Sequence, residues 1–187
     1  MRVTKAAVIQ TASDIADKDG LNNVSLKVVA EKLNIRTPSL YNHIGSLDDL
    51  LREVAHSGMR AMNERMTQAA IGNIGDVAIK AVSIEYLNYM IEHPGVYETI
   101  QWATWHGTEE TGTLFENYIS LLSTLIHTCN FNPDSTSEIL NLLTGVLHGY
   151  TTLQLRYAFD NPDKVRKALA NAVDTVLLGC HRKYDNN

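Results

Sequence analysis

Apolar residues recur three and four positions apart over most of this 187-residue chain, and that spacing constrains its fold more than any other feature. The spacing is that of an amphipathic α-helix, in which apolar side chains line one face. Gly and Pro interrupt the pattern at short breaks, and no two segments read as a convincing pair of strands. The sequence therefore predicts an all-α fold.

The breaks divide the chain into a series of predicted helices. The first ends at Gly20, the second is capped by Ser25, and the third covers residues 38–44 with Thr37 as its cap. The first helix has a predicted apolar stripe, which consists of Val8, Ile9, Ala12, Ile15 and Ala16. Asn34 stands in the turn between the second and third helices, where a left-handed residue is needed. The remaining helices are predicted at residues 47–71, 76–92, 96–103, 110–128, 136–158 and 162–182.

Length and composition exclude several classes of protein. At 20.8 kDa, with 44% hydrophobic and 20% charged residues, the chain can bury a proper core as one large domain or two small ones. Cys129 and Cys180 stand outside any disulfide or zinc spacing, so no metal or cofactor is expected. Asp14 and Asp17 interrupt the N-terminus where a signal peptide would be apolar, and the longest uncharged stretches carry polar residues. We expect a cytoplasmic protein with no membrane partner.

Charge is unevenly distributed along the chain. The 16 Lys and Arg against 21 Asp and Glu give a net charge of −5, which excludes a general polycation. Residues 1–45 nevertheless hold six basic and four acidic side chains, a local charge of +2. The acidity of the chain therefore lies downstream of its first 45 residues.

Residues 25–44 have the dimensions of a helix-turn-helix, two short helices joined by a tight turn. Ala30 is small enough to let the two helices cross closely. Five apolar residues are spaced to form a small core with the first helix: Val29, Leu33, Ile35, Leu40 and Ile44. The groups left facing outward can donate to phosphates or read base edges: Arg36, Thr37, Ser39, Asn42 and His43. Such a helix fits a major groove, although a short polar face can also be merely solvated.

The run of residues 24–44 resembles the DNA-binding segment of the TetR family of one-component transcriptional regulators. Ala30, the Leu40-Tyr41-x-His43 pattern and Leu50 stand where that family's pattern puts them. The resemblance covers about the first 55 residues. It implies an order of a preceding helix, the two-helix unit and a long connecting helix, which agrees with the predicted elements.

The resemblance implies DNA contacts by one set of side chains: Lys27, Arg36, Thr37, Ser39, Tyr41, Asn42 and His43. Tyr41 and His43 would contact phosphates, while Thr37, Ser39 and Asn42 would lie near bases. Tyr41 could instead be mainly a packing residue, and His43 could complement the helix dipole.

Two positions depart from the family's pattern. Asn34 replaces the usual turn Gly, which the turn tolerates. Leu47 stands where a Lys often contacts a phosphate, so the resemblance implies one phosphate contact fewer and a slightly flatter salt dependence.

A DNA-binding protein with one short recognition helix per subunit usually works as a dimer. Two C-terminal helices of this chain could form the dimer interface. One carries an apolar face of Ile139, Leu143, Val146, Tyr150, Leu153 and Tyr157, with small residues beside it. The candidate dimer residues are Gly145, Gly149, Thr152, Leu169, Val173 and Val176. Two such helices per subunit would form a four-helix bundle, which resembles the family's usual dimer contact. The alternative is that these helices only bury the subunit's own core.

Aromatic and His side chains concentrate in residues 86–127, which suggests a cavity whose polar tips meet a ligand. The candidate ligand-binding residues are Tyr86, Tyr89, Trp102, Trp105, His106, Tyr118, His127 and Tyr150. Aromatic residues at helical spacing can equally form core. The Trp105-His106-Gly107 triplet is similar to the one that names a C-terminal domain type in some TetR-like regulators.

Two other function classes stay open. His106, Glu109 and Glu110 have a spacing that could hold a metal or support acid–base catalysis, but no further motif completes an enzyme site. A helical adaptor that binds a protein through its N-terminal domain is the second alternative, and the local charge of +2 counts against it.

The sequence is interpreted as a one-component regulator with no enzymatic activity, and the resemblance implies a repressor rather than an activator. Residues 1–46 are predicted to bind a palindromic DNA operator, 47–71 to connect, and 72–187 to dimerise and sense a small-molecule effector. Recognition helices about 34 Å apart would enter successive major grooves. An effector that tilts the connecting helix would change that separation and release the DNA.

Overall fold

The computed structural model describes residues 3–156 and 159–185, and Tyr157 of the predicted apolar face lies outside these ranges. The described residues form eight α-helices and three 3₁₀ helices, so the all-α prediction is confirmed. The α-helices are α1 (Lys5–Asp19), α2 (Leu26–Lys32), α3 (Leu47–Ala70), α4 (Gly75–Glu92), α5 (Pro94–His106), α6 (Glu109–His127), α7 (Thr136–Leu155) and α8 (Pro162–Tyr184). No helix among them is both long and apolar enough to cross a membrane.

The chain divides into two compact units, each built from two stretches of sequence. Unit 1 consists of Met1–Ala61 and His93–Leu114, and unit 2 of Met62–Glu92 and Phe115–Asn187. Two of the three boundaries fall inside α3 and α6, so each of these helices contributes to both units, and the third lies between α4 and α5. The functional division at residues 46 and 71 stays a prediction.

Helix α1 begins and ends at the residues that local chemistry favours. The Thr4 hydroxyl accepts a hydrogen bond from the Ala7 N–H, and Gly20, with φ of +88°, ends the helix while its N–H donates to the Ala16 carbonyl. The buried face is that of the predicted stripe: Val8, Ala12, Ile15 and Ala16. Ile9, also predicted on this stripe, is half-buried.

The helix-turn-helix forms where the sequence predicts it, but its second helix has a different geometry. Ser25 caps α2 through the Val28 N–H, and Asn34 adopts the predicted left-handed conformation with φ of +54°. The predicted α-helix over residues 38–44 is instead a 3₁₀ helix, Thr37–Asn42, and Arg36 rather than Thr37 occupies its cap position. Proline has no N–H to donate, and Gly45 follows within a few residues, so the segment is too short for a full ladder of α-helical bonds.

In unit 1, α5 packs against α1 at unusually close range. A Cβ atom on Gly95 would collide with the carbonyl group of Ala16, so only glycine fits there. The Asp17 carboxylate accepts hydrogen bonds from the backbone N–H groups of Gly95 (2.8 Å) and Val96 (3.0 Å), at the start of α5. It also lies 2.9 Å from Nδ1 of His93. A side chain of α1 thus caps a helix nearly 80 residues away in the chain.

In unit 2, α4, α7 and α8 pack on one another. Their shared core consists of fully buried aliphatic side chains: Ile79, Val82, Leu87, Ile139, Leu143, Leu147, Val165, Leu169 and Val173. His181 joins the end of α8 to the start of α4. Its Nε2 lies 3.0 Å from both carboxylate oxygens of Asp76, and its Nδ1 lies 2.8 Å from Asp185.

Candidate functional site

The segment of residues 36–43, named the recognition segment here, buries one side and exposes the other. Leu40 is completely buried and Ile44, just after the segment, is 3% exposed, so both anchor it to the core of unit 1. Val29 and Ala30 of α2 are buried with them, while Leu33 and Ile35 are only half-buried. The apolar spacing of the sequence therefore fixes which face of this segment points outward.

The outward face carries polar side chains that form no hydrogen bond or ion pair with the rest of the described chain. Arg36, Ser39, Tyr41 and Asn42 are exposed, Tyr41 to 57%, and within the described residues their side chains make no hydrogen bond or ion pair. Thr37 and His43 are half-buried at the two ends of the segment. The face therefore offers a guanidinium, an amide and hydroxyl groups, which are the donors that contact phosphates and base edges.

Lys27 lies at the start of α2 and is exposed like most of the predicted DNA contacts. Its ammonium group is 3.9 Å from the Glu31 carboxylate, and both side chains are well exposed. An exposed pair one helical turn apart contributes only about 0.3–0.5 kcal/mol, so a phosphate can replace Glu31 at little cost.

The start of α3 satisfies its own N–H groups. The Ser46 hydroxyl accepts a hydrogen bond from the Asp49 N–H, and the Asp49 carboxylate accepts one from the Gly45 N–H at 2.8 Å. Leu47 is the first residue of the helix and is half-buried. This corner therefore carries Asp48 and Asp49 rather than a cation, and the predicted loss of one phosphate contact stays a prediction.

The eight candidate ligand residues are distributed over both compact units. Unit 1 holds Trp102, Trp105 and His106. Trp102 stacks on His106 with ring centroids 4.5 Å apart, and Trp105 is 87% exposed. A Cβ on Gly107 would lie 2.6 Å from the Ala103 carbonyl oxygen, so glycine is needed there. Trp105 and His106 are the last two residues of α5, and Gly107 and Thr108 connect that helix to α6.

Unit 2 holds the other five candidate residues, and two of them lie together. The rings of Tyr86 and Tyr118 are buried with centroids 6.0 Å apart. Tyr89 is buried with the Arg65 guanidinium 5.4 Å from its ring centroid, and Tyr150 stacks on Phe159. His127 is exposed, with Nε2 3.2 Å from the Thr136 hydroxyl.

Sequence reasoning missed the groups that α7 adds to the Tyr86–Tyr118 pair. Nδ1 of His148 lies 3.3 Å from the Tyr86 hydroxyl, and burial lowers the pKa of His148. Burial also raises the pKa of Tyr118 to about 12, and the nearby Thr144 hydroxyl opposes that effect only in part. Thr144, His148 and Thr151 are spaced four and three residues apart, which puts three polar side chains on one helical face. That spacing was the available signal.

The candidate dimer residues fall into a buried and an open set. Leu169 and Val173 are completely buried in the core of unit 2, and Val176 is half-buried. By contrast, Gly145, Gly149 and Thr152 lie on an exposed face of α7. Within 4 Å of the place where a Cβ would stand on either glycine, nothing in the described residues is found. Among the candidate dimer residues in the described ranges, Gly145 and Gly149 therefore have the most open surroundings.

Two of the three residues considered for an enzyme site, His106 and Glu110, make contacts with other groups. Glu110 forms an ion pair with Arg60 and lies 3.5 Å from Nδ1 of His56, while Nδ1 of His106 contacts the Trp102 carbonyl. His56 is buried, which lowers its pKa, and its Nε2 lies 2.7 Å from the Thr111 hydroxyl. Across residues 3–156 and 159–185, no group of three or more His, Cys, Asp or Glu side chains could hold a metal ion.

A family model described as the tetracyclin repressor-like C-terminal domain matches residues 79–176, just over half of the chain. The chain belongs to the TetR family of transcriptional regulators. The resemblance noted at residues 24–44 and the family match at residues 79–176 come from different parts of the chain and agree. This TetR-family chain is a DNA-binding transcriptional regulator.

Two curated relatives are described as HTH-type transcriptional regulators. YobS from Bacillus subtilis (strain 168), an uncharacterized HTH-type transcriptional regulator, is 29% identical over 178 residues, which cover 95% of this chain and 92% of the relative. Rv0681 from Mycobacterium tuberculosis, which carries the same description, is 27% identical over 96 residues, or 51% of this chain and 44% of the relative.

Solved structures share the fold at low sequence identity. A protein with unknown function from Rhodococcus sp. RHA1 superposes with a TM-score of 0.81 at 17% identity, over 96% of both chains. A point variant of TetR from Acinetobacter baumannii AYE, solved in complex with minocycline, superposes with a TM-score of 0.70 at 19% identity, over 99% of this chain and 100% of that one. At these identities the likeness concerns the fold.

Proposed function

We propose that this TetR-family chain is a homodimeric repressor that binds a palindromic operator and releases it when a small-molecule effector binds. The observation that carries the proposal is the outward face of the recognition segment, where Arg36, Ser39, Tyr41 and Asn42 are exposed with no partner in the described residues. A monomer would insert one such segment and read too few base pairs to find a site in a genome.

The dimer is proposed to form through the exposed face of α7. Glycine inside a helix costs about 0.5–1 kcal/mol relative to alanine, yet Gly145 and Gly149 have open space around them in the protomer. Leu142 and Leu153, which are 45% and 47% exposed, lie on the same helix. A partner helix that approaches closely over the glycines would account for both observations. Leu169 and Val173 are left out because they have no exposed surface.

The sign of regulation is proposed as repression with induction by the effector. An effector releases DNA only if it binds the DNA-incompetent conformation more tightly than the competent one. Helix α3 is the continuous element through which such a change would pass, because residues 47–61 belong to unit 1 and residues 62–70 to unit 2. We further propose that the protein acts in the cytoplasm, away from membranes, and catalyses no reaction.

Selection of bound fragments from the source genome by the purified protein tests the operator proposal. We expect an enriched inverted repeat with half-sites about 10 base pairs apart, or a multiple of that, and binding that weakens steeply with salt. Absence of enrichment at low salt would contradict DNA binding by the effector-free protein. The adaptor alternative then requires a protein partner whose binding depends on the same face.

Two substitutions on the recognition segment then locate the contacts. Arg36→Ala and Asn42→Ala should each weaken operator binding about ten-fold, because a base or phosphate contact contributes roughly 1–3 kcal/mol. Arg182→Ala and Asn171→Ala on α8 remove exposed side chains of the same two types outside unit 1. These control variants should leave the affinity for the operator unchanged. Equal losses in all four variants would indicate a general charge or folding effect instead.

A further inference from the structure

We propose that unit 2 contains a binding site for an uncharged, ring-bearing ligand with at least two hydrogen-bonding oxygens, located between Tyr118 of α6 and Thr144 and Thr151 of α7. The inference rests on the proposed function, since this ligand would be the effector. It specifies the chemical class that the site selects.

The first observation is a set of buried oxygen atoms that find no hydrogen-bond partner within the described residues. They are the Tyr118 hydroxyl, the Thr144 and Thr151 hydroxyls and the Gln154 side-chain oxygen. Tyr118 is 4% exposed and Thr151 is completely buried. The Tyr118 and Thr144 hydroxyls are near each other but do not meet in hydrogen-bonding geometry. A buried polar group left without a partner costs about 1–3 kcal/mol, so several in one region are a considerable penalty for the ligand-free fold.

The second observation is that comparable hydroxyls elsewhere in the chain do find partners. Ser83 and Thr99 are equally buried, and each donates to the carbonyl oxygen four residues earlier, at 2.7 Å. Thr124 and Thr175 make the same bond on exposed helix faces. Thr144 and Thr151 also lie inside a helix, yet their hydroxyls make no such bond. Among the buried Ser and Thr hydroxyls of the described residues, those of Thr144 and Thr151 are the ones without a partner.

The third observation concerns charge. Tyr86 and His148 lie beside the unpaired oxygens, and the buried imidazole is neutral at physiological pH because its pKa is lowered. The charged residues of α4 are engaged elsewhere, since Lys80 pairs with Asp174 and Glu85 with Arg65. A charged ligand here would lose its hydration without gaining a counter-charge, whereas hydroxyl or carbonyl groups could pair with the available oxygens and aromatic faces.

Three compounds on one scaffold test the class: 2,7-dihydroxynaphthalene, 2,7-dimethylnaphthalene and naphthalene-2,7-disulfonate. Binding to the purified full-length protein is measured by calorimetry in the absence of DNA. We expect the dihydroxy compound to bind at least ten-fold more tightly than the dimethyl compound, and the disulfonate not to bind. Equal or tighter binding of the disulfonate, or no binding of the dihydroxy compound at millimolar concentration, would overturn the proposal.

Substitutions separate a ligand-binding role from a structural one. Tyr118→Phe and Thr151→Val should each weaken binding of the dihydroxy compound at least five-fold while leaving the unfolding midpoint of the free protein unchanged or higher, because each removes an unpaired group. Ser83→Ala is the matched control: it removes a paired hydroxyl, so it should lower that midpoint and leave binding unchanged. If Tyr118→Phe and Thr151→Val lower the midpoint as Ser83→Ala does, their hydroxyls have partners such as buried water, and the proposal fails.

This inference and the proposed function can fail separately. If the protein binds an operator but not the dihydroxy compound, only the assigned ligand class is wrong. If the compound binds as expected but no operator is found, the site stands and the proposed regulator function does not.

Discussion

The two compact units both contain unused hydrogen-bonding groups, but they keep them in different surroundings. In unit 1 these groups lie on the exposed face of the recognition segment, where water can satisfy their hydrogen bonds. In unit 2 they are buried at Tyr118, Thr144 and Thr151, where no described protein group pairs with them. The same residue types therefore cost little in one unit and destabilise the ligand-free fold in the other. Matched substitutions in the two units test this difference.

The largest expected effect is at a glycine of unit 1. Gly95→Ala should lower the free energy of unfolding by about 3 kcal/mol, because the added methyl group collides with the Ala16 backbone and forces α1 and α5 apart. Urea unfolding measures the loss. Gly112→Ala is the control within the same unit, since it has nothing within 4 Å and should be neutral or stabilising. A Gly95→Ala protein as stable as wild type would show that the two helices do not pack this closely.

A glycine of unit 2 should behave in the opposite way. Gly149→Ala fills open space in the protomer, so it should stabilise the isolated fold by up to about 1 kcal/mol through helix propensity. Under the proposed interface it should also weaken dimerisation roughly ten-fold, because the partner helix loses its close approach. Sedimentation equilibrium measures the dimer dissociation constant. An unchanged constant would remove Gly149 from the proposed interface.

Removing the exposed hydroxyl of Tyr41 and the buried hydroxyl of Tyr118 compares the two surroundings directly. Tyr41→Phe should weaken operator binding about five-fold, the equivalent of one hydrogen bond of roughly 1 kcal/mol, and leave the free energy of unfolding unchanged. Tyr118→Phe should leave operator binding by the effector-free protein unchanged. Gel-shift titration and urea unfolding of both variants provide the four measurements. A loss of stability in Tyr41→Phe would favour the packing role considered for that residue.

The smallest effects are pH-dependent and differ in sign between the units. Burial lowers the pKa of His56 below 6.5, so its contribution to stability is present above pH 6.5 and is lost as the pH falls through its folded pKa. For His181, burial lowers the pKa but hydrogen bonds to Asp185 and Asp76 outweigh it, so the net pKa is raised. Its contribution is therefore present below pH 6.5 and is lost as the pH rises through its folded pKa.

Urea unfolding of His56→Gln and His181→Gln at about pH 5.5 and pH 8 checks these signs. His56→Gln should destabilise more at the higher pH, and His181→Gln more at the lower. Destabilisation by the same amount at both pH values in either variant would contradict the protonation state assigned to that histidine.

The sequence was sufficient to predict what depends on neighbouring residues. Local conformational preferences explain the end of α1 at Gly20, the start of α2 at Ser25 and the turn at Asn34. Apolar spacing is enough to predict which face of the recognition segment is buried. The 3₁₀ geometry of Thr37–Asn42 was missed because helical spacing over so few residues does not distinguish i→i+3 from i→i+4 bonding.

Properties that depend on distant residues could not be predicted. The capping of α5 by Asp17 joins residues nearly 80 positions apart, and nothing local marks Asp17 for that role. The aromatic residues of 86–127 were grouped by their proximity in sequence, whereas the structure assigns Trp105 to unit 1 and Tyr118 to unit 2. Periodicity shows which face is buried, but it does not show which buried polar atoms lack a partner, and so the groups on α7 were missed.

The close contact between Gly95 and Ala16 also limits how this protein can be recombined. A chimeric regulator that takes its DNA-binding domain, here called the head, from one protein and the rest from another would be joined in or near α3. The head of this protein also needs residues 93–114, which lie on the far side of that junction, because they supply the partners of Asp17 and the surface against which α1 packs. A functional chimera therefore has to include both stretches of sequence that form unit 1, and the other protein must accommodate both.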